Sequence, residues 1–310
     1  MPEGDTIHRT ASRLAGALVG RVLTRFDAPR GLDRPGRSGP PAAGSAAPGP
    51  GSLIEAVEAR GKYLLIRFGD GSVLETHMKM TGSWHLYRPG ERWRRPPSTV
   101  RVVVGTDEWL AVCFAAPHAV LHRPSVRART DPAQAPPGPT HLGPDLCRED
   151  AALPDADVAE ILHRLRTLVA PDTRLDTALL DQRLFCGVGN VYKSEVLAAA
   201  GLHPATPLAA VDDGQRRQLA TIAHRLLRAN TGRTDRVTVP GGLAVYGRAG
   251  RPCRRCGTPI ERALTGPHHR STYWCPACQS APGAAAAPAP TPGMGVSAQR
   301  KGAGPAAYGK

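Results

Sequence analysis

The stretch DQRLFCGVGNVYKSEVL, residues 181–197, decides the fold, because it joins two helical patterns through a turn that contains two glycines. One helix is expected to end at Asp181–Arg183 and the next to begin at Asn190. Gly187 and Gly189 allow another group to approach the backbone closely. A helix with an Asn cap offers free N–H groups to a phosphate. A tight helix–helix turn without a ligand is the alternative, and this stretch alone leaves both open.

Four of the seven cysteines form two CxxC pairs near the C-terminus, with eighteen residues between the pairs. This spacing is typical of a four-thiolate zinc site. A thioredoxin-like redox motif would leave the second pair unexplained. We therefore expect one structural Zn²⁺ that folds a hairpin and takes no part in chemistry, held by Cys253, Cys256, Cys275 and Cys278. The other three cysteines, Cys113, Cys147 and Cys186, are interpreted as small apolar residues.

The sequence around the cysteine pairs is strongly basic. Eight arginines lie between residues 233 and 270, against two acidic residues. Such a surface is typical of phosphate binding. The segment between the pairs is expected to form a β-hairpin with Arg270 near its tip. The adjacent His268 and His269 are interpreted as solvated loop residues.

The whole chain has a formal net charge of +14 and a pI near 10.1, which favours a polyanionic partner, nucleic acid first. Coding bias can explain the preference for Arg over Lys but not the net charge. Only Lys62, Lys79 and Lys193 remain as lysines in the expected folded body. An amine that must titrate cannot be replaced by a guanidinium, although three lysines could also be chance.

Sequence periodicity divides the chain into a β-rich first half and an α-rich second half. The expected β-type runs, between residue 52 and about 121, are SLIEAVEA, KYLLIRF, SVLETHM, VRVVV and WLAVCF. The fold class is therefore α+β. We expect an N-terminal domain at 1–130, a linker at 131–140, a helical domain at 141–240 and a zinc finger at 241–279. Residues 29–51 are expected to be a disordered insertion and residues 280–310 a disordered basic tail.

The first five residues, MPEGD, place a proline directly after the initiator methionine. Trimming of Met1 would leave a secondary amine on Pro2, followed at once by the carboxylate of Glu3. A frayed terminus without function is the alternative. The N-terminus carries acidic residues and no long apolar stretch, so it is not expected to be a secretory signal, and no run of eighteen apolar residues occurs.

Three distant blocks, MPEG, GVGNVYKSEVL and the two-pair cysteine hairpin, together resemble the Fpg/Nei family of bifunctional DNA glycosylases. Within it, the blocks MPEGDT, HMKMTGSW, VYGRAGRPCRRCGTPI and TYWCPACQ are most similar to endonuclease VIII of the actinobacterial kind. The resemblance covers nearly the whole chain except 29–51 and the tail. It implies an N-terminal β-sandwich flanked by helices, a helix-two-turn-helix domain and a C-terminal zinc-finger hairpin, with DNA in the cleft between them.

The resemblance also implies roles for individual residues. Pro2 would be the nucleophile and Glu3 the acid that assists base departure. Lys62, which follows Arg60-Gly61 and is expected at the start of a strand rather than in a loop tip, would be the β-hairpin lysine. Asn190 would bind a phosphate, and Arg270 would aid δ-elimination. An α-amine suits attack on a sugar C1′, because its ordinary pKa of about 8 leaves part of it unprotonated near neutral pH.

The resemblance places a wedge at residues 77–81, where Met80 would fill the gap left by an everted base and Lys79 would contact the backbone or the orphaned base. Met78 is interpreted as a core residue. The resemblance also places His141 among the DNA-contacting residues, at a position before GPD where relatives often carry Arg. Asp5-Thr6 replaces Pro-Glu, so an auxiliary acid is lost.

Two departures concern the lesion. Residues 115–122, AAPHAVLH, replace a DPRRFG-type loop, and the link NTGRTDRVTVPGGL replaces a long lesion-capping loop. Both favour oxidised pyrimidines over 8-oxoguanine. We therefore expect a base-excision-repair glycosylase with β,δ-elimination AP lyase activity, monomeric, cytoplasmic, nucleoid-associated and not bound to membranes. It would act on double-stranded DNA with oxidised bases or abasic sites. The alternatives are an oxidised-purine glycosylase of the same family and a non-catalytic zinc-ribbon DNA-binding protein.

Overall fold

The computed structural model describes residues 2–33, 48–123, 139 and 141–281. Most of the predicted insertion at 29–51, nearly all of the linker at 131–140 and most of the tail at 280–310 lie outside these residues. Within the described residues, no helix is both long enough and apolar enough to cross a membrane.

The first domain is a helix packed on a β-sandwich. Helix α1 (Gly4–Leu18) precedes eight strands: β1 (Arg25–Asp27), β2 (Ile54–Arg60), β3 (Tyr63–Phe68), β4 (Val73–His77), β5 (Ser83–Tyr87), β6 (Val100–Gly105), β7 (Leu110–Phe114) and β8 (His118–His122). They form two antiparallel sheets, ordered β1-β6-β7-β5 and β2-β3-β4-β8. The apolar stripe of α1, Ile7, Ala11, Leu14 and Leu18, packs into the core shared by both sheets.

The second domain is helical and leads into the zinc-finger hairpin. Its elements are α2 (Asp155–Thr167), α3 (Leu175–Ala178), α4 (Asn190–Ala200) and α5 (Asp213–Arg228), followed by β9 (Glu261–Thr265) and β10 (Arg270–Trp274). The four helices share one apolar core. A smaller cluster around Val245 and Ile260 lies beside the four cysteines. The α+β class and the order sandwich, helices, hairpin are confirmed.

Two local expectations are wrong. The helix expected to end at Asp181–Arg183 already ends at Ala178, because the Asp181 carboxylate accepts the Arg183 N–H at 2.9 Å and closes a turn instead. Lys62, expected at the start of a strand, lies in the two-residue turn between β2 and β3, where Arg60 pairs with Tyr63.

Candidate active site and DNA interface

Glu3 lies fully buried against the start of α4. Its Oε2 accepts the N–H groups of Gly189 at 3.0 Å and Tyr192 at 3.2 Å, and its Oε1 accepts that of Val191 at 2.8 Å. An anion at a helix N-terminus is stabilised by these donors and by the helix dipole. The carboxylate next to Pro2 is therefore held in one place by a helix that begins 187 residues later in the chain.

This arrangement corrects the expected phosphate site. The N-cap residue of α4 is Gly189, not Asn190, and three N–H groups of the first turn are already bound to Glu3. A phosphate contact by Asn190 would therefore use its side-chain amide.

Around Glu3 the two domains meet through backbone and very small side chains. The Gly4 N–H donates to the Gly187 carbonyl at 3.0 Å. A Cβ on Gly4 would lie 2.4 Å from Cys147 Sγ, and one on Gly61 would lie 2.4 Å from Cys186 Sγ. Cys147 and Cys186 thus fill the gaps between opposed backbones, in agreement with their interpretation as small apolar residues.

Lys62 enters the site from the β2–β3 turn. Its Nζ donates to the Val188 carbonyl at 2.6 Å, in the same glycine turn that precedes α4. Burial lowers the pKa of Lys62, the charge of Glu3 opposes this effect, and the charge of Arg270 adds to it. The protonation of Lys62 is therefore influenced by the charges of both the buried acid and the hairpin arginine.

Asn190 is fixed by a lysine to which the resemblance gave no role. Lys193 is fully buried, and its Nζ donates to Asn190 Oδ1 at 2.8 Å, to Thr272 Oγ1 at 2.6 Å and to the Ser271 carbonyl at 3.3 Å. Asn190 Nδ2 donates to the same Ser271 carbonyl at 2.8 Å. Because an ammonium only donates, Lys193 sets which end of the amide faces the hairpin. The scarcity of lysine was the only signal for it in the sequence.

Arg270 begins β10 and is exposed, directly before the two residues that Lys193 holds. Burial lowers the pKa of Lys193 to about 8, the nearby Asp176 charge opposes this, and the Arg270 charge adds to it. The structure thus brings Glu3, Lys62, Asn190 and Arg270 together around the start of α4.

The predicted wedge lies at a tight corner of the sandwich. Met80 is 62% exposed whereas Met78 is 2% exposed, so Met78 belongs to the core. Lys79 is exposed, has a positive φ of 43°, and donates its N–H to His77 Nδ1 at 3.1 Å. Burial and the Lys62 charge lower the pKa of His77 to about 4, which keeps this ring neutral and able to accept. His141 is exposed, with its ring centroid 6.1 Å from that of Tyr63.

Asp5 does not act as a free acid. Arg236 donates to both of its oxygens at 2.7 Å, and the Tyr192 hydroxyl donates to Oδ2 at 3.0 Å. Arg236 also donates to Thr6 Oγ1 at 3.0 Å, which ties the link after α5 to the first turn of α1.

The four cysteines fit one zinc ion. Their four Sγ atoms all lie within 4.8 Å of one another. The Sγ atoms of Cys256 and Cys275 are 3.5 Å apart, and those of Cys256 and Cys278 are 3.3 Å apart. Thiolates at about 2.3 Å from a tetrahedral zinc have separations of this order. With four protein ligands the ion is structural, and no reaction step passes through it.

Comparison with known proteins agrees with this geometry. The models of the formamidopyrimidine-DNA glycosylase N-terminal domain, its H2TH domain and the zinc finger found in FPG and IleRS match residues 1–120, 142–237 and 250–281. A probable endonuclease 8 2 of Streptomyces coelicolor is 40% identical over 303 residues, which cover 94% of this chain and 97% of that protein. The DNA-(apurinic or apyrimidinic site) lyase Nei2 of Mycolicibacterium smegmatis is 36% identical, covering 91% of this chain and 100% of that protein.

Solved structures show the same fold. The MutM (FPG) protein of Thermus thermophilus has a TM-score of 0.65 and 27% identity, covering 90% of this chain and 98% of that chain. Lactococcus lactis FPG in complex with DNA containing an oxidised pyrimidine has a TM-score of 0.69 at 22% identity, covering 90% of this chain and 100% of that chain. The chain therefore belongs to the Fpg/Nei family of DNA glycosylases and AP lyases.

Proposed function

We propose that this protein excises oxidised pyrimidines from double-stranded chromosomal DNA and cleaves the resulting abasic site, through a Schiff base on Pro2. The observation that carries the proposal is the capture of Glu3 by the start of α4. Because Pro2 is bonded to Glu3, an N-terminus that would otherwise fray is anchored beside Lys62 and the glycine turn. Once Met1 is removed, the secondary amine of Pro2 would lie where the two domains meet.

The proposed chemistry assigns one task to each group. The Pro2 nitrogen attacks C1′ and gives its proton to the Glu3 carboxylate, while the base leaves with the electron pair of the glycosidic bond. Glu3 then acts as the proton donor to O4′ as the C1′–O4′ bond breaks, so that the sugar opens and C1′ forms an iminium with the Pro2 nitrogen. The resulting iminium withdraws electrons, so that loss of a C2′ proton expels the 3′ phosphate and a second elimination expels the 5′ phosphate. Asn190 and Arg270 would hold phosphates during these steps, with Lys193 orienting Asn190.

The preference for pyrimidines rests on the space around the everted base. The turn from β7 to β8 spans only Ala115–Pro117. Beside the wedge, the Ala115 carbonyl accepts the Thr81 hydroxyl at 2.8 Å. The link after α5 is short and anchored by Arg236. These features support a site without a large capping loop. A purine-directed enzyme is the second candidate, whereas a non-catalytic zinc ribbon does not account for the match over residues 1–120.

The decisive experiment is borohydride trapping on DNA with an abasic site, followed by peptide mapping of the adduct. We expect the adduct on Pro2, with Met1 absent from the intact mass, and strongly reduced trapping in Pro2→Gly and in a protein with an N-terminal extension. Lys62 is the rival amine, because burial lowers its pKa. An adduct that maps to Lys62, or no adduct in the native protein, would overturn the mechanism.

Substrate preference needs a separate comparison. Excision of thymine glycol and 5-hydroxyuracil should exceed excision of 8-oxoguanine opposite cytosine. The reverse order would favour the purine enzyme while leaving the Schiff base intact.

A further inference from the structure

A loop of the first domain, the β-sandwich, carries arginines that the proposed chemistry does not use. The segment 91–96, here the arginine loop, lies between β5 and β6 and exposes Arg92, Arg94 and Arg95. In the described residues no carboxylate pairs with these three side chains. Five other arginines of the same domain do have acid partners: Arg21 and Arg88 with Glu108, Arg25 with Asp27, Arg67 with Glu58, and Arg101 with Asp33.

The arginine loop is held in place although its charged groups are exposed. The Trp93 ring packs edge-on against the Phe114 ring, with ring centroids 5.9 Å apart, and tilted against the Tyr87 ring, with centroids 6.4 Å apart. The Arg94 N–H donates to the Tyr87 hydroxyl at 3.1 Å. Burial lowers the pKa of His85 beneath the loop, and the charges of Arg95 and Arg94 lower it further. The backbone therefore presents a cluster of positive charge without first having to become ordered.

The position of the arginine loop relates it to the wedge. The Thr99 carbonyl accepts the Ala115 N–H at 2.7 Å. The Ala115 carbonyl in turn accepts the hydroxyl of Thr81, the residue after Met80. Arg95 precedes Thr99 by four residues, so their Cα atoms are at most about 14 Å apart. Each DNA strand carries one phosphate per about 3.4 Å of axis, so this distance corresponds to roughly four base pairs.

We propose that the arginine loop is a second DNA-contacting surface, which binds backbone phosphates of the undamaged duplex a few base pairs from the lesion. The partner is a duplex flank, because unpaired, exposed guanidinium groups on a fixed backbone suit a row of phosphates without reading sequence. The proposal depends on the proposed function for its partner. The arginine loop would add phosphate contacts from the β-sandwich to those proposed for α4 and the zinc-finger hairpin.

The test compares binding to four duplexes of equal length with a tetrahydrofuran abasic analogue. One has charged phosphates throughout, two carry neutral methylphosphonate linkages over the flank on one side only, and one carries them over both flanks. The variant R92Q/R94Q/R95Q is compared with R21Q/R25Q/R67Q, which removes the same charge from paired arginines. Binding is measured by fluorescence anisotropy across a salt series. Thermal unfolding of both variants checks that they are folded.

We expect the loop variant to reduce the slope of log K against log[salt] by about 2 to 3 on duplexes that keep charged phosphates on one particular side of the analogue, since each phosphate contact contributes about 0.9. The duplex with both flanks neutral and the control variant should show no comparable change. R95Q alone should lower the slope by about 1. Equal loss on all four duplexes, or equal loss in the control, would overturn the proposal. Binding to the analogue needs no Schiff base, so failure of the Pro2 mechanism would be seen separately, by trapping.

Discussion

Helix α4 takes part in two interfaces that are built in opposite ways. At its start, the catalytic interface (Gly4, Gly61, Gly187 and Gly189) brings backbones together with almost no side chain between them. Further along the helix, the zinc-finger interface (Asn190, Lys193 and Glu195) joins α4 to the hairpin region through buried polar side chains.

The difference teaches how each interface should fail. The catalytic interface has no room, so an added methyl group should disturb it. The zinc-finger interface depends on individual hydrogen bonds, so removing a polar group should disturb it. One helix thereby fixes Glu3 by close approach and positions the Arg270 strand by long side chains.

The largest effect is expected from Gly189→Ala. A Cβ there would lie 2.4 Å from Glu3 Cδ and 2.8 Å from Oε1, while the residue's φ of −119° is open to alanine. The methyl group should displace the carboxylate and leave the backbone in place. We expect excision of thymine glycol to fall by about 10²- to 10⁴-fold, the range of a general acid. Cleavage of a preformed abasic site should fall much less.

Gly16→Ala is the matched control, because nothing lies within 4 Å of a Cβ at this exposed position in α1. It should leave both activities unchanged and stabilise the protein by about 0.5–1 kcal/mol. Unchanged excision by Gly189→Ala would show that the observed position of Glu3 is not needed for base removal.

The second effect should appear at Glu195, which is 1% exposed. Its carboxylate accepts the N–H groups of Ala244 at 2.7 Å, Val245 at 2.9 Å and Tyr246 at 2.8 Å, shortly before the first cysteine pair. Glu195→Ala should cost about 3 kcal/mol, since these buried donors lose their acceptor.

The measurement for Glu195→Ala is thermal unfolding together with the rate of zinc transfer to a chromogenic chelator, which should rise. Glu160→Ala is the control, because its surface pair with Arg164 is worth at most about 0.5 kcal/mol. Equal stability of the two variants would show that the zinc-finger interface does not depend on this carboxylate.

Much of the fold could be predicted from local patterns. The spacing of the cysteines predicts the zinc site, and the apolar stripe of α1 predicts its buried face. Strands β1, β5 and β8 match none of the expected β-type runs, and each of them pairs only with a strand that is not its neighbour in the chain. A local sequence pattern reflects neighbouring residues only, whereas these strands are specified by tertiary contacts.

The candidate site shows the same limit. Pro2 and Glu3 could be singled out as a pair, but the binding of Glu3 to residues 189–192 follows from no local pattern. An Asn at the start of a helix suggested a free cap, and a distant carboxylate had already taken that position. Lys193 could be noticed only as a rare lysine, since its acceptors on β10 are 78 and 79 residues away.

The smallest effect concerns Lys193 and has a defined pH window. Its pKa is about 8 in the folded protein against 10.5 ordinarily, so between these values the unfolded chain binds a proton that the folded protein lacks. The free energy of unfolding of the native protein should therefore rise across this window relative to Lys193→Met, by about 2 kcal/mol, and the difference should be flat below about pH 7.5. Denaturant unfolding at several pH values measures it. Thr272→Val loses one hydrogen bond but keeps the ammonium, so it should retain the native pH dependence. If native protein and Lys193→Met instead run parallel from about pH 7 to 10, the ammonium is solvated, and the link from Asn190 to the Arg270 strand does not depend on a buried charge.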